Sequence, residues 1–276
     1  MEDIYFINGK YKNLDDPQIT PDNIGLLRGY GIFEFMRTYN GKLFRFDEHM
    51  NRLYNSADEM NIEIPHDRGE IKEIAESLKR KNNMKNCSIR VVVTGGRVTS
   101  HTGYDPETPT FMVLCEPPKV LPEKYYSQGV ELLTLNHQRI LPEVKYTNYI
   151  LPISKRKKLE EEDKFDFLYV DDGKVLESVT SSFFVVKDKK IITPKEGVLK
   201  GTTREFVIEI AEENFEVVRR EISVSELENV DESFLTATNK EVLPVVKVDE
   251  TQIGDGKVGP ITKQLIGSFR EKVENY

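Results

Sequence analysis

Alternating apolar and polar positions predict paired strands near the start of the chain. The stretches IYFINGKYK and FMRTYNGKLFRF each place Asn-Gly between two strand-like runs, which is the strongest short signal for a β-hairpin. Apolar residues then recur at helical spacing from Phe46 to Met60, with Asp47 as the expected N-cap. The pattern predicts a second helix over roughly residues 68–82, followed by the strands SIRVVVTGG and TFMVLCE.

The proline-rich segment PPKVLPE follows a completed strand-like run, as is typical of a linker. The chain is long enough for two domains. We therefore predict a small α/β domain over residues 1–116, a linker over residues 117–123 and a larger domain over residues 124–276.

The larger part contains many short strand-like runs with helices between them. The runs include VELLTLN, FDFLYV, SFFVV, KIITP, FEVVRREI and ESFLTATNKEVLPVVKV, and helices are predicted to begin near Asn148, after Gly201 and near Pro260. This mixture predicts an α+β fold with mixed sheets rather than a doubly wound one. The sequence contains neither a Walker loop nor a Gly-x-Gly-x-x-Gly that follows a strand, so nucleotide-binding folds are disfavoured.

Composition narrows the class of protein. A net charge of −8 argues against nucleic acid as the main partner, because a nucleic-acid phosphate backbone favours a basic face. The sequence contains no run of about 18 apolar residues, so no transmembrane helix is predicted. The segment MEDIYFINGKY lacks the layout of a secretory signal, so we expect a cytoplasmic protein. The 4 histidines have no metal-ligand spacing, so we expect no metal site.

Several short motifs could carry chemistry, although each also fits ordinary structure. Lys145 lies in RILPEVKYTNY at a loop-to-helix junction. A partly desolvated lysine amine there could form a Schiff base, whereas a solvated lysine would be a plain surface residue. Glu177 follows a turn and a short strand, where an exposed acid is also common. Thr202 and Thr203 begin a helix, which suits either phosphate binding or ordinary capping.

Two more motifs complete an ordered set. Arg52 lies in EHMNRL on the first long helix, and Thr238 lies in FLTATNKEVLP at a strand end. Together, and in this order, the motifs closely resemble the class IV pyridoxal-phosphate enzymes of fold type IV. That family includes D-amino-acid transaminase, branched-chain aminotransferase and aminodeoxychorismate lyase. The resemblance covers nearly the whole chain, from NGKY to VGPITKQL.

The resemblance implies a set of residues that bind pyridoxal 5′-phosphate. Lys145 matches the lysine that forms a Schiff base with the cofactor, and Glu177 matches the acid that pairs with its pyridine nitrogen. Leu199 matches the apolar residue under the ring. Tyr149 matches a tyrosine near the phenolate oxygen, with a spacing from the lysine one residue shorter than in branched-chain enzymes. The residues implied to hold the phosphate are Arg52, Thr202, Thr203 and Thr238. The resemblance also implies a homodimer.

The substrate-binding motifs depart from each pattern within the family. VTGGRVTSHTGY contains Arg97 and His101, but not at the Arg-x-His spacing of D-amino-acid transaminases. SIR keeps the Arg90 of the branched-chain pattern Tyr-Ile-Arg without its tyrosine, and in FEFMR Phe35 replaces the glycine of Phe-Glu-Gly-Ile-Arg. Arg28 stands where relatives have a tyrosine or phenylalanine that lines the substrate pocket.

We hypothesise that Arg28, reaching in from a neighbouring subunit, and Arg90 bind substrate carboxylate, with Phe33 as a further substrate contact. This hypothesis favours a transaminase for D-amino acids such as D-glutamate and D-alanine, with 2-oxoglutarate as an acceptor. A branched-chain L-amino-acid aminotransferase is the first alternative, favoured by Arg90, Arg37 and the apolar Phe33 and Phe35. Aminodeoxychorismate lyase, suggested by HTGYDPETP, and a relative that binds the cofactor without turnover are further alternatives.

Overall fold

The chain forms two compact units in a computed structural model that describes residues 3–13, 15–16 and 19–276. The first unit contains the described part of residues 1–119 together with Val144–Asn148 and Tyr276. The second contains Val120–Glu143 and Tyr149–Asn275. Among the described residues, no helix has both the length and the apolar character needed to cross a bilayer.

The short segment Val144–Asn148 differs from the sequence-based domain assignment, which placed it in the larger domain. It belongs to the first unit because it pairs with a strand there. The N–H of Phe33 donates to the carbonyl of Lys145 at 2.9 Å, and the N–H of Thr147 donates to the carbonyl of Gly31 at 2.9 Å. Hydrogen bonds to a strand far away in the chain, and not the position in the sequence, thus decide to which unit this segment belongs.

The first unit is an antiparallel sheet with helices packed on it. Its strands are β1 (Ile4–Ile7), β2 (Lys10–Asn13), β3 (Gly31–Tyr39), β4 (Lys42–Leu43), β5 (Ser88–Thr94), β6 (Arg97–Val98), β7 (Tyr104–Asp105) and β8 (Thr110–Glu116). Its helices are α1 (Ile24–Arg28), α2 (Phe46–Glu59) and α3 (Arg68–Lys81). The sheet order is β2-β1-β8-β5-β3-β4, and β6 pairs with β7 alone. Apolar residues of α2, α3 and the sheet share one buried core.

Both predicted Asn-Gly hairpins are confirmed. Asn8 and Gly9 join β1 to β2 with φ of 45° and 82°, and Asn40 and Gly41 join β3 to β4 with φ of 51° and 81°. Positive φ at both central residues defines the turn that matches strand twist, and Asn-Gly adopts it readily.

The two long helices of this unit begin differently from each other. The prediction of Asp47 as an N-cap is wrong, because α2 begins at Phe46 after Arg45 and Asp47 lies inside the first turn. An acid there still interacts favourably with the positive end of the helix dipole. Helix α3 has a capping box, in which the side chains of Asp67 and Glu70 each accept the other's backbone N–H at 2.9 Å.

The second unit is a mixed sheet with flanking helices. Its strands are β9 (Val130–Asn136), β10 (Asp166–Asp171), β11 (Lys174–Ser178), β12 (Ser181–Lys187), β13 (Lys190–Thr193), β14 (Val217–Arg219), β15 (Ile222–Ser223), β16 (Glu232–Ala237), β17 (Glu241–Val248) and β18 (Thr251–Gln252). Its helices are α4 (Glu123–Gln128), α5 (Ile150–Glu161), α6 (Thr202–Glu212) and α7 (Pro260–Glu274), and a 3₁₀ helix spans Val224–Asn229.

The sheet of the second unit closes on itself. Its central order is β12-β16-β17-β9-β10-β11, and β11 pairs back with β12. Strands β17, β9 and β10 run parallel to one another, whereas the other pairs in this ring are antiparallel. The chain thus combines a smaller α/β unit with a closed, barrel-like mixed sheet, which is the α+β fold predicted from the sequence.

Candidate active site

Lys145 lies in the segment that pairs with the edge of β3. Its backbone N–H donates to the Ser56 hydroxyl at 3.2 Å, and its carbonyl accepts the N–H of Phe33. Its ammonium nitrogen lies 4.6 Å from the centre of the Phe33 ring. The neighbouring Val144 is only 3% exposed and anchors the segment in the core. The predicted catalytic lysine is therefore half-buried, held at both backbone groups and placed over an aromatic face.

Arg52 lies on α2 and pairs with Glu34, a fully buried carboxylate on β3. Its Nε and one terminal nitrogen lie 3.0 and 2.6 Å from the two Glu34 oxygens, a bidentate contact. The Nδ1 of His49 lies 3.4 Å from Glu34 Oε2. Sequence reasoning identified Arg52 but missed Glu34 and His49. The signals were present: an acid inside an apolar strand, and a histidine three residues before the arginine on one helix.

Electrostatics explains how this charge cluster tolerates burial. Burial by itself would raise the pKa of Glu34, but Arg52, and then His49, outweigh it and hold the pKa well below its usual range. Burial lowers the pKa of His49, which favours the neutral ring, and the positive charges of Arg52 and Lys145 act in the same direction against Glu34. Glu34 is therefore a stable anion opposite Arg52.

Arg90 and the two phenylalanines lie together on the first unit's sheet. Arg90 on β5 is directly opposite Phe35 on β3. Its guanidinium carbon lies 4.9 Å from the Phe35 ring centre and 5.9 Å from that of Phe33. The side chain is 38% exposed, and its ion pair with Glu116 is 3.7 Å long. The structure thus brings Lys145, Phe33 and Arg90 together.

The side chain of Arg28 is hydrogen-bonded to two backbone carbonyls of the first unit. Arg28 is the exposed last residue of α1, followed by Gly29 in the left-handed conformation. Among the described residues, its side chain donates to the carbonyl of Leu27 at 2.8 Å and to that of His101 at 3.4 Å. The contacts of Arg28 therefore place its side chain beside the loop that contains His101.

Glu177 lies at the end of β11 in the second unit. It is 5% exposed, which excludes the alternative of a solvent-exposed acid. One carboxylate oxygen accepts the N–H of Leu199 at 3.1 Å, and the other pairs with Arg139 at 3.1 Å. Arg139 also donates to the carbonyl of Pro142. Sequence reasoning missed Arg139, although NHQRILPEVK places an arginine shortly before the lysine.

Tyr149 immediately precedes α5. Tyr149 influences the pKa of Tyr169, a buried residue on β10. Burial, then the nearby Asp166 and Tyr149, raise the pKa of Tyr169 above its usual range, and Glu177 contributes further. Tyr149 and Glu177 therefore both lie close enough to one buried phenol to affect its ionisation.

Thr202 and Thr203 form the first turn of α6, and each is 7% exposed. Gly201 occupies the N-cap position and has no side chain that could cap this helix start. A Cβ atom on Gly201 would lie 2.9 Å from the hydroxyl oxygen of Ser182. The glycine thus keeps the space before the helix open, where backbone N–H groups and the helix dipole favour an anion.

A buried hydroxyl lies on the strand that leads to Thr238. Thr236 on β16 is 2% exposed and is directly opposite Ser182 on β12. Its hydroxyl has no hydrogen-bond partner among the described residues. Buried polar groups without a partner are uncommon in native proteins and call for a ligand or an ordered water. Thr238 follows one residue after β16 ends.

Comparisons with known proteins agree on the family. Residues 31–248 match the amino-transferase class IV family. A Methanocaldococcus jannaschii protein, provisionally named branched-chain-amino-acid aminotransferase, is 33% identical over 96% of this chain and 95% of its own length. D-alanine aminotransferase of Bacillus licheniformis is 31% identical over 96% of this chain and 95% of its own length.

A solved structure gives the same answer for the fold and the cofactor. The branched-chain amino acid aminotransferase of T.th. with pyridoxamine 5′-phosphate superimposes with a TM-score of 0.90 at 26% identity, covering 100% of this chain and 95% of that one. The expected fold type IV architecture is therefore confirmed. The chain belongs to the class IV aminotransferases, pyridoxal-phosphate-dependent enzymes that act on amino and 2-oxo acids.

Proposed function

We propose that this aminotransferase acts on D-amino acids, moving the amino group between D-glutamate or D-alanine and a 2-oxo acid such as 2-oxoglutarate. The observation that carries the amino acid part of the proposal is the shared placement of Lys145 and Arg90 at the ring of Phe33, 4.6 and 5.9 Å from its centre. A reactive amine and a cation for a carboxylate are the two groups that an amino acid substrate needs. The likeness to D-alanine aminotransferase supports the choice of D-amino acids.

The residues present fit pyridoxal 5′-phosphate. An anion suits the open start of α6, and the unpartnered hydroxyl of Thr236 lies on the strand leading to Thr238. A buried carboxylate, Glu177, suits the protonated pyridine nitrogen. We propose Lys145 as the residue that carries the cofactor, Leu199 as the contact under the ring and Tyr149 as the contact at the phenolate oxygen. The proposed phosphate ligands are Arg52, Thr202, Thr203 and Thr238.

Each protein group then has a defined task. When bound, the cofactor supplies an electron sink for the charge left at the substrate α-carbon. The Nζ of Lys145 would accept the proton from the substrate α-carbon and donate it to the cofactor carbon on the other side of the transferred nitrogen, and its backbone contacts hold it in place for both transfers. The Leu199 N–H and the Arg139 guanidinium orient the Glu177 carboxylate. Phe33 covers one side of the lysine amine.

Arg90 is proposed to bind the substrate carboxylate. Its 38% exposure and its long ion pair with Glu116 leave it able to exchange that partner for a substrate. Arg28 is proposed to add a second contact from a neighbouring subunit, since it is exposed within its own. If Arg28→Ala and Arg90→Ala both leave the Michaelis constants for every amino and 2-oxo acid unchanged, this assignment is wrong.

The direct test follows the absorbance of the bound cofactor while D-glutamate, D-alanine, L-leucine and L-glutamate are added separately to the purified enzyme. Conversion from the pyridoxal to the pyridoxamine form by the D-amino acids alone is the expected result. Conversion by L-leucine and L-glutamate alone would overturn the D-amino-acid proposal and leave the family assignment intact.

The second candidate is a branched-chain L-amino-acid aminotransferase. The adjacent rings of Phe33 and Phe35 would suit an apolar side chain, and the likeness to the Methanocaldococcus jannaschii protein favours this activity. The same absorbance test separates the two candidates.

We also propose a homodimer. The side chains of Ile140, Ile150 and Ile153 in the second unit are 87%, 76% and 69% exposed. Ile150 and Ile153 lie one turn apart on α5, and large apolar side chains exposed next to each other often mark an interface between subunits. Light scattering on the eluting peak from size exclusion should give twice the 31.9 kDa chain mass. A cytoplasmic location also stays a prediction.

A further inference from the structure

We infer that Glu34 is a positioning residue, which fixes the Arg52 guanidinium in the orientation needed to bind the cofactor phosphate. The inference rests on the role of Arg52 given under the proposed function. Glu34 itself is fully buried between β3 and α2, so it acts through Arg52 rather than on a ligand.

The geometry of the contact carries the inference. Two parallel contacts of 2.6 and 3.0 Å join the Glu34 carboxylate to the Nε edge of Arg52. A bidentate pair fixes the plane of the guanidinium as well as its position. A single contact would leave the group free to rotate about that one contact. The direction of the remaining edge of Arg52 is therefore set from inside the protein.

The surroundings hold Glu34 in turn. Its Oε1 also accepts the backbone N–H of Phe35 at 3.0 Å, and the Nδ1 of His49 lies near its Oε2. His49 is 1% exposed and lies one helical turn before Arg52 on α2. The carboxylate thus has contacts from the strand and from the helix, and Arg52 is its one fully charged close partner among the described residues.

Stability alone does not account for this arrangement. Replacing a buried ion pair by apolar side chains of similar size is often neutral or stabilising. The neighbouring inward positions of β3 are apolar, namely Ile32 and Met36, each 0% exposed. An acid between them is best explained by its effect on Arg52. Of the two paired side chains, that of Arg52 is 11% exposed, whereas that of Glu34 is fully buried.

The test compares cofactor affinities in the apoenzyme. Pyridoxal 5′-phosphate and pyridoxal, which lacks the phosphate, are titrated into the wild type, Glu34→Gln, Arg52→Ala and the double variant. We expect Glu34→Gln to weaken pyridoxal 5′-phosphate binding about tenfold and to leave pyridoxal binding within about twofold, because one charge-assisted contact is worth about that much. The double variant should bind no more weakly than Arg52→Ala, since Glu34 acts through Arg52.

Two further variants separate positioning from general loss of structure. Glu34→Asp keeps the charge but withdraws it, so a smaller effect on the same ratio is expected, and it serves if Glu34→Gln does not fold. Glu232→Gln alters another buried carboxylate, which accepts backbone N–H groups at the start of α7. It should leave the ratio of the two affinities unchanged.

The outcomes are distinct. An unchanged ratio in Glu34→Gln and Glu34→Asp, with a changed ratio in Arg52→Ala, overturns the inference and leaves the phosphate role of Arg52 standing. An unchanged ratio in Arg52→Ala overturns that role, and the inference with it. An equal change in Glu232→Gln shows a general loss of structure and also overturns the inference.

Discussion

The two faces of strand β3 use charge in opposite ways. One face carries Glu34, which is completely buried and paired with Arg52 at hydrogen-bond distance. The other carries Phe33 and Phe35, over which the half-exposed Arg90 lies with a 3.7 Å ion pair. Because successive residues of a strand point to opposite sides, one short sequence, FEF, supplies both environments.

The two kinds of charge on β3 differ in whether they stabilise the fold or remain available to a ligand. A buried ion pair with two short contacts is costly to break, because the partner that remains is a charge without compensation. An exposed pair contributes little and exchanges partners easily. The inner face of β3, which carries Glu34, therefore fixes Arg52 in place. The outer face, which carries Phe33 and Phe35, leaves Arg90 available to a ligand. The following predictions test that contrast, beginning with the largest effect.

Replacing Lys145 should have the largest effect on activity. Lys145→Ala removes the group that we propose transfers the substrate proton, so kcat should fall by at least about 1000-fold. Lys72→Ala is a matched control, since Lys72 also lies over an aromatic ring, 5.6 Å from the centre of Phe46. Steady-state transamination rates should distinguish the two. Equal losses in both variants would contradict the assignment of Lys145.

Replacing Glu34 should have the largest effect on stability. Glu34→Ala leaves Arg52 without its buried partner, and we expect the free energy of unfolding to fall by about 3–5 kcal/mol. Denaturant-induced unfolding of the apoenzyme measures this change. A loss below about 1 kcal/mol would mean that the inner face is no more demanding than the outer one.

Lowering the pH should destabilise the buried inner face, where His49 lies beside Glu34, before the outer face with its Arg90–Glu116 pair. The pKa of His49 is lowered in the folded protein, mainly by burial, with Arg52 and Lys145 adding to the effect and Glu34 opposing it. A lowered folded pKa gives stability that is present above the unfolded value near 6.5 and is lost as the pH falls. We expect a loss of up to about 1.4 kcal/mol per pH unit below that point. His49→Gln should flatten the dependence below about pH 6.5, and an unchanged slope would contradict this origin.

Replacing Glu116 should have the smallest effect. Glu116→Ala removes an exposed partner of Arg90, so the free energy of unfolding should change by less than about 1 kcal/mol. In the proposed role of Arg90, Glu116 would compete with a substrate carboxylate for it, so we expect the Michaelis constant for 2-oxoglutarate to fall about twofold. Initial rates at varied 2-oxoglutarate measure it. A raised constant would show that Glu116 supports the orientation of Arg90 instead.

Local signals identified most of the elements and the cofactor. The two Asn-Gly hairpins follow from backbone preferences of two residues, and α7 begins at Pro260 as its sequence indicates. Helix α2 begins at Phe46 rather than after Asp47, because Arg45 adopts the left-handed conformation at the end of the hairpin. Helix boundaries depend on such junctions, which a periodic pattern does not specify.

The family, the order of the motifs and the identity of the cofactor could all be predicted from the sequence, because they depend on residue types at fixed positions along the chain. Tertiary structure alone decided which residues support them. Arg139 meets Glu177 across 38 residues, and Arg52 meets Glu34 across 18. Val144–Asn148 joins the first unit by pairing with a strand far away in the chain. Such contacts arise when sheets form and bury charge, so a local pattern can point to a residue but not to the partner that it meets.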